Sequence, residues 1–92
     1  MRLAYRVHAV RRMFERAIRS EDVRFVLESG EVIEECPDDQ PYPSRLVLGR
    51  HGTWPLHVVA ADHTGTDETI VITAYEPDPT LWEPDFRTRK AT

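Results

Sequence analysis

Histidine, tyrosine and arginine side chains, the types used in acid–base and phosphate chemistry, are spread along the chain. Histidine and tyrosine can take up or release a proton, and arginine can stabilise negative charge on a phosphate. Together these types suit acid–base chemistry at a phosphate group, which needs a base, an acid and cations near phosphorus. The candidate catalytic residues are His57, His8, Arg45 and Tyr75, and the candidate nucleic-acid-binding residues are Arg12 and Arg16.

His57 is the most informative of these residues because its neighbours, residues 56 and 58–60, are all apolar. A histidine in such a strand must either find a hydrogen-bond partner or face a cleft. One hypothesis places it at the rim of a concave surface within reach of His8 or Arg45. The other makes it a histidine at the edge of the core, satisfied by a carboxylate or a carbonyl group.

The sequence does not indicate a metal site or a cofactor. The histidines are scattered and match no zinc-binding spacing, and no glycine-rich phosphate loop is present. A single cysteine can form neither an internal disulfide nor a thiolate zinc site by itself. The residues considered were His8, His51, His57, His63 and Cys36.

Charge is distributed unevenly along the chain. Residues 1–19 contain six arginines and Glu15, a net +5, whereas residues 20–39 contain eight acids and Arg24, a net −7. The total of −4 argues against a protein that coats nucleic acid non-specifically. Two interpretations are open for the arginines: they bind a few phosphates, or they pair with the acidic segment that follows.

Length and composition are those of a single small domain. Ninety-two residues with 40% hydrophobic and 30% charged content support one modest core. No apolar stretch is long enough to span a membrane, and Met1 to Ser20 lacks the apolar core of a signal peptide. We therefore expect a cytoplasmic protein.

Apolar periodicity predicts two N-terminal helices. Apolar residues recur at helical spacing from Leu3 to Ala17, although the first few residues could instead be extended, with the helix starting near His8. A second helix is predicted from Glu21 to Ser29, capped by Ser20 and ended by a left-handed Gly30.

The sequence after Gly30 predicts three to four antiparallel strands. The expected fold class is therefore α+β, with two N-terminal helices followed by the sheet. The strands are predicted at Glu31–Cys36, Ser44–Arg50, Leu56–Ala61 and Thr69–Tyr75, the last two forming a hairpin across residues 62–67. A proline-rich tail, residues 76–92, should pack back through Trp82 and Phe86 and fray from Arg87. The predicted core sets Leu46, Val58, Ile70 and Ile72 against Val10, Phe14, Val23 and Leu27.

Several stretches together resemble one bacterial and archaeal family. They are His8-Ala9, Arg12-Met13 with Arg16, residues 20–23, residues 30–35, residues 43–49, residues 55–59, and residues 72–79 with Trp82 and Phe86. The family is domain of unknown function number forty-two fifty-eight (DUF4258). Its members usually show an Arg-Gly-Ile turn after the first helix, where this chain has Arg16-Ala17-Ile18.

The resemblance implies a place among toxin–antitoxin systems. Members are often encoded beside a small zinc-finger antitoxin-like protein, and their order of elements is similar to RelE/ParE and MqsR toxins, which cleave messenger RNA. Metal-free cleavage of RNA by such toxins needs a base near the 2′-hydroxyl, an acid for the leaving oxygen and cations near phosphorus, roles that suit the candidate residues. Three hypotheses follow. The chain is a ribonuclease toxin, a non-catalytic partner of an antitoxin-like protein, or an ordinary binding domain.

Overall fold

A computed structural model shows two short helices and five strands. It describes residues 1–63 and 65–91, and of His51 only the backbone. Thr64, in the predicted hairpin loop, and Thr92, in the predicted fraying tail, lie outside the described residues. The elements are β1 (Arg2–Tyr5), α1 (Val7–Glu15), α2 (Ser20–Ser29), β2 (Glu31–Cys36), β3 (Ser44–His51), β4 (Trp54–Asp62) and β5 (Glu68–Tyr75).

The strands form one mixed sheet in the order β1-β5-β4-β3-β2. The four predicted strands pair antiparallel, as expected. The predicted fold class is nevertheless wrong in its start and strand number, because β1 precedes both helices and pairs parallel to β5. The class is still α+β, with β1 and β2 at the two edges of the sheet.

The first residues fit a helical period by coincidence, and the structure confirms the alternative in which they are extended and the helix starts near His8. Leu3 belongs to β1, and α1 begins only at Val7, after the Arg6 amide donates a hydrogen bond to the Val71 carbonyl at 3.1 Å. That bond continues the pairing of β1 with β5. Tertiary strand pairing therefore decides the conformation of this segment over its local periodicity.

The buried face of α1 also differs from the predicted one. Ala9 and Met13 enter the core, whereas Val10 and Phe14 are exposed, so their predicted core positions are wrong. Val23, Leu46 and Val58 are buried as predicted. Leu27, Ile70 and Ile72 are half-buried.

Gly30 ends α2 for a reason other than the predicted left-handed conformation. Its φ of −80° and ψ of −177° are extended. A Cβ at Gly30 would lie 2.5 Å from the Val26 carbonyl oxygen and 2.6 Å from that of Leu48. Glycine is therefore required by the close approach of α2 to β3. At the start of α2 the Arg19 amide donates to the Asp22 carboxylate at 3.1 Å.

The turn between the helices contains one residue in the left-handed conformation. Ala17 has a φ of +55°, a conformation that costs an L-residue with a Cβ and favours glycine. The alanine thus holds a strained backbone conformation that a glycine would adopt freely.

The two faces of the sheet have different covers. α1 and α2 cover one face, where Val47, Val58 and Val71 belong to the main core cluster. The C-terminal segment, residues 76–91, lies against the other face, where Trp82 is only 3% exposed. Side chains that alternate along a strand therefore meet either the helices or the C-terminal segment.

Candidate functional sites

His57 is fully buried beneath the C-terminal segment. Its Nε2 lies 2.7 Å from the Phe86 carbonyl oxygen, and its Nδ1 lies 3.4 Å from the Tyr75 hydroxyl. A carbonyl oxygen can only accept, so Nε2 carries the proton and Nδ1 is free to accept from Tyr75. The Trp82 ring stands edge-on to the imidazole at 4.6 Å.

This environment keeps the imidazole neutral. Burial lowers the pKa of His57 below its ordinary value, and Arg89 lowers it further, while the Phe86 carbonyl and Glu34 oppose the shift. Burial likewise raises the pKa of Tyr75, so its hydroxyl stays protonated and can donate. Both features match the hypothesis of a satisfied core histidine, and the expectation of a rim position is wrong.

Two ion pairs fasten the C-terminal segment to β2. Arg87 pairs with Glu31, and Arg89 binds Glu34 through two hydrogen bonds of 2.7 and 3.1 Å. The Arg89 guanidinium also lies 4.6 Å from the centre of the Trp82 ring. These contacts involve residues 87 and 89, which the sequence led us to expect in a frayed tail.

Arg45 lies apart from His57. It is opposite Ala60 on β4, whereas His57 is opposite Leu48, and the odd spacing between positions 45 and 48 puts the two side chains on different faces of the sheet. The Arg45 guanidinium pairs with Asp62 at 3.0 Å. Its charge is therefore balanced by a carboxylate.

His8 and Arg12 lie together on the outside of α1. With Arg11 and Glu15 they line one depression, called here the polar face of α1. The four residues are spaced i, i+3, i+4 and i+7, which places them on adjacent turns of a helix. Arg16 instead lines a separate cavity of about 300 Å³ next to Asp22.

The structure therefore divides the six candidates into smaller groups. It brings His57 together with Tyr75, and His8 together with Arg12, but it does not assemble His57, His8 and Arg45. Arg11 and Glu15 belong to no predicted site, although their helical spacing from His8 identifies them as its neighbours. No sequence signal pointed to the Phe86 carbonyl, which lies 29 residues from His57.

A third face of α1 is apolar and exposed. Val7, Val10 and Phe14 line one depression together with Arg11 and with Tyr5 at the end of β1, and the four apolar residues are called here the α1 stripe. Val7 is 75%, Val10 54% and Phe14 88% exposed. Scattered apolar residues are normal on a protein surface, but a contiguous group on one helix is a feature of interaction sites.

Among the described side chains of residues 1–63 and 65–91, which do not include that of His51, no three histidine, cysteine or acidic groups are arranged to hold a metal ion. Within the same residues no helix is both long and apolar enough to cross a membrane.

Comparison with known proteins gives one match. A family model described as domain of unknown function (DUF4258) matches residues 5–76. The match includes both helices and the strands from β2 to β5, and it stops where the C-terminal segment begins. No curated protein and no solved structure matches the chain.

Proposed function

Because the chain belongs to the DUF4258 family, we propose that it is the toxin component of a toxin–antitoxin pair and that it cleaves RNA without a metal, through the polar face of α1. The observation that carries this proposal is the grouping of His8, Arg11, Arg12 and Glu15 around one exposed depression. That group combines two proton-transfer side chains with two cations, in contrast to the buried and satisfied His57.

The reaction needs two proton transfers and charge stabilisation. One of His8 and Glu15 removes the proton of the RNA 2′-hydroxyl, whose oxygen then attacks phosphorus. The bond to the 5′-oxygen breaks, and the other residue protonates that oxygen. The products are a 2′,3′-cyclic phosphate and a 5′-hydroxyl. Arg11 and Arg12 bind the phosphate as its negative charge develops.

The dimensions of α1 suit these roles. Seven residues of α-helix rise about 10 Å, so His8 and Glu15 lie about two turns apart with the arginines between them. Arg12 is half-buried, and its Nε has no hydrogen-bond partner among the described residues. The partly buried stem holds the guanidinium in place, and the surrounding residues 1–19 carry the net +5 that attracts a polyanion.

The experiment combines expression and RNA binding. Expression in bacteria should arrest growth, and the purified protein should bind a fluorescent single-stranded RNA with an affinity that falls steeply with salt. Arg12→Gln should weaken binding and reduce the slope of log affinity against log salt by about 0.7, the value for one phosphate contact on a single strand.

Arg19→Gln is the matched control because it removes the same charge from a side chain that is 75% exposed and lies outside the polar face. It should change binding less than Arg12→Gln does. Binding that is flat with salt, or equal effects of the two variants, would contradict the proposal.

The second candidate function is a non-catalytic domain that pairs with a small antitoxin-like protein, of the zinc-finger type that the family resemblance implies. The exposed α1 stripe favours it, since an apolar helix face suits a protein partner. It predicts stable co-purification with the product of a neighbouring gene, with neither growth arrest nor RNA cleavage when the chain is expressed alone.

A further inference from the structure

We propose that the α1 stripe is the docking surface for an amphipathic helix with acidic flanks, supplied by a partner protein. The stripe consists of Tyr5, Val7, Val10 and Phe14. The inference rests on the proposed function only in identifying this partner with an antitoxin. The binding surface itself is argued from its exposure and charge.

The apolar side chains of α1 are not distributed according to their size. The helix buries Ala9 and Met13 and leaves its aromatic residue, Phe14, in solvent. The stability of the fold alone favours burying the larger side chain, because the free energy gained rises with apolar area. An outward Phe14 beside outward Val10 is therefore explained by a contact outside the fold.

The geometry of the stripe favours a helix as its occupant. Val7, Val10 and Phe14 are spaced i, i+3 and i+7, so they form a row along the axis of α1. A row of this kind packs against the apolar face of a second helix, as in helix-in-groove recognition. The exposed fractions show that the described residues leave this row uncovered.

The charge around the stripe favours an acidic partner. Arg11 lines the same depression, Arg6 immediately precedes Val7, and neither belongs to an ion pair among the described residues. In a two-fold contact between two copies, each stripe would meet the same surface and oppose like charges. Acidic flanks on a partner helix would instead attract these arginines and speed association.

Arg11 connects the stripe to the polar face of α1, because it lines both depressions. A helix seated on the stripe with a carboxylate near Arg11 would neutralise one of the two cations assigned to the RNA phosphate. The partner would therefore weaken RNA binding without contacting His8. Neutralisation of a toxin by an antitoxin requires an effect of this kind.

The test uses a synthetic amphipathic helical peptide with leucines on one face and glutamates at its flanks, next to an analogue with lysines in place of the glutamates. Binding is followed by fluorescence anisotropy. The glutamate peptide should bind more tightly than the lysine peptide. Phe14→Ser should weaken that binding about 10- to 100-fold, as expected from lost burial of one aromatic side chain.

Phe25→Ser is the matched control, since Phe25 is an exposed phenylalanine on α2 and lies outside the stripe. It should leave peptide binding unchanged, and both variants should keep the melting temperature of the parent. Equal binding of the two peptides, equal effects of the two substitutions, or no binding of the glutamate peptide would overturn the proposal. A dimer that Phe14→Ser dissociates would overturn it in favour of a second copy.

The RNA assay separates this inference from the proposed function. Peptide binding with no RNA cleavage by the free protein would remove the ribonuclease proposal and leave the docking surface standing. RNA binding lost in Phe14→Ser, with no peptide binding to the parent, would assign the stripe to RNA and overturn the docking proposal.

Discussion

Replacing His57 with alanine should destabilise the fold rather than remove a reacting group. The Phe86 carbonyl would lose its donor at 2.7 Å, and an unsatisfied buried carbonyl costs about 1–3 kcal/mol. The lost ring contacts with Trp82 and Tyr75 and the cavity left behind add about 2 kcal/mol. The sum is about 3–5 kcal/mol, from a total stability of about 5–14 kcal/mol for a chain of this length.

Thermal unfolding followed by circular dichroism measures this loss directly. At about 4–8 °C per kcal/mol, the melting temperature of His57→Ala should fall by about 12–40 °C. His63→Ala serves as the control because His63 is only half-buried and its ring packs against Tyr42. A melting temperature within a few degrees of the parent would refute the structural role of His57.

The same site has a defined pH dependence. Burial lowers the pKa of His57 in the folded state below its ordinary value of 6.5, so the unfolded chain takes up a proton first as pH falls. The stability contributed by the neutral ring is fully present above about pH 6.5 and is lost as the pH falls through the folded-state pKa of His57. The glutamine in His57→Gln cannot titrate. Urea unfolding should therefore show a smaller loss of stability between neutral and acidic pH for this variant than for the parent.

Three further predictions concern single residues. Ala17→Gly should stabilise the protein by about 0.5–1 kcal/mol in urea unfolding, because it relieves the left-handed strain at φ +55°. Phe14→Ala should change stability by no more than about 0.5 kcal/mol, since the ring is exposed; a burial-sized loss in thermal melting would contradict that. Gly30→Ala should cost about 1–3 kcal/mol, because its Cβ would meet two carbonyl oxygens, and an unchanged urea midpoint would show that the backbone yields freely.

The four antiparallel strands could be predicted because each one carries its own local evidence. The predicted strand at Glu31–Cys36 has the observed bounds, and the other three differ by one or two residues at their ends. β-branched residues bounded by turn-forming residues define them without any tertiary information.

β1 could not be predicted in the same way. A four-residue strand that pairs with β5, more than sixty residues later, leaves no local signal strong enough to oppose a coincidental helical period. The start of α1 follows from β1, but the face that α1 buries is set by its packing on β5, which a helical period does not specify. Val10 and Phe14 were predicted in the core because they lie on the apolar face of α1, which is exposed.

The candidate site was predicted only in part for a related reason. Residues on one helix, such as His8 and Arg12, are neighbours by their spacing alone. The partners of His57 come from a distant segment, and one of them is a backbone carbonyl, which any residue type could supply. Chemistry within an element is visible in a sequence, whereas chemistry between distant elements depends on the topology of the sheet.

The central claim is that reactive chemistry belongs to the exposed polar face of α1 and that His57 serves the fold. The most direct test is the cleavage rate of a fluorescent RNA by His8→Ala and by His57→Gln, each divided by its folded fraction. We predict that His8→Ala loses about 10²- to 10⁴-fold in rate at an unchanged melting temperature. We expect His57→Gln to melt earlier and to keep the parent rate per folded molecule. A His8→Ala variant with full activity, beside a folded His57→Gln variant with none, would contradict this account.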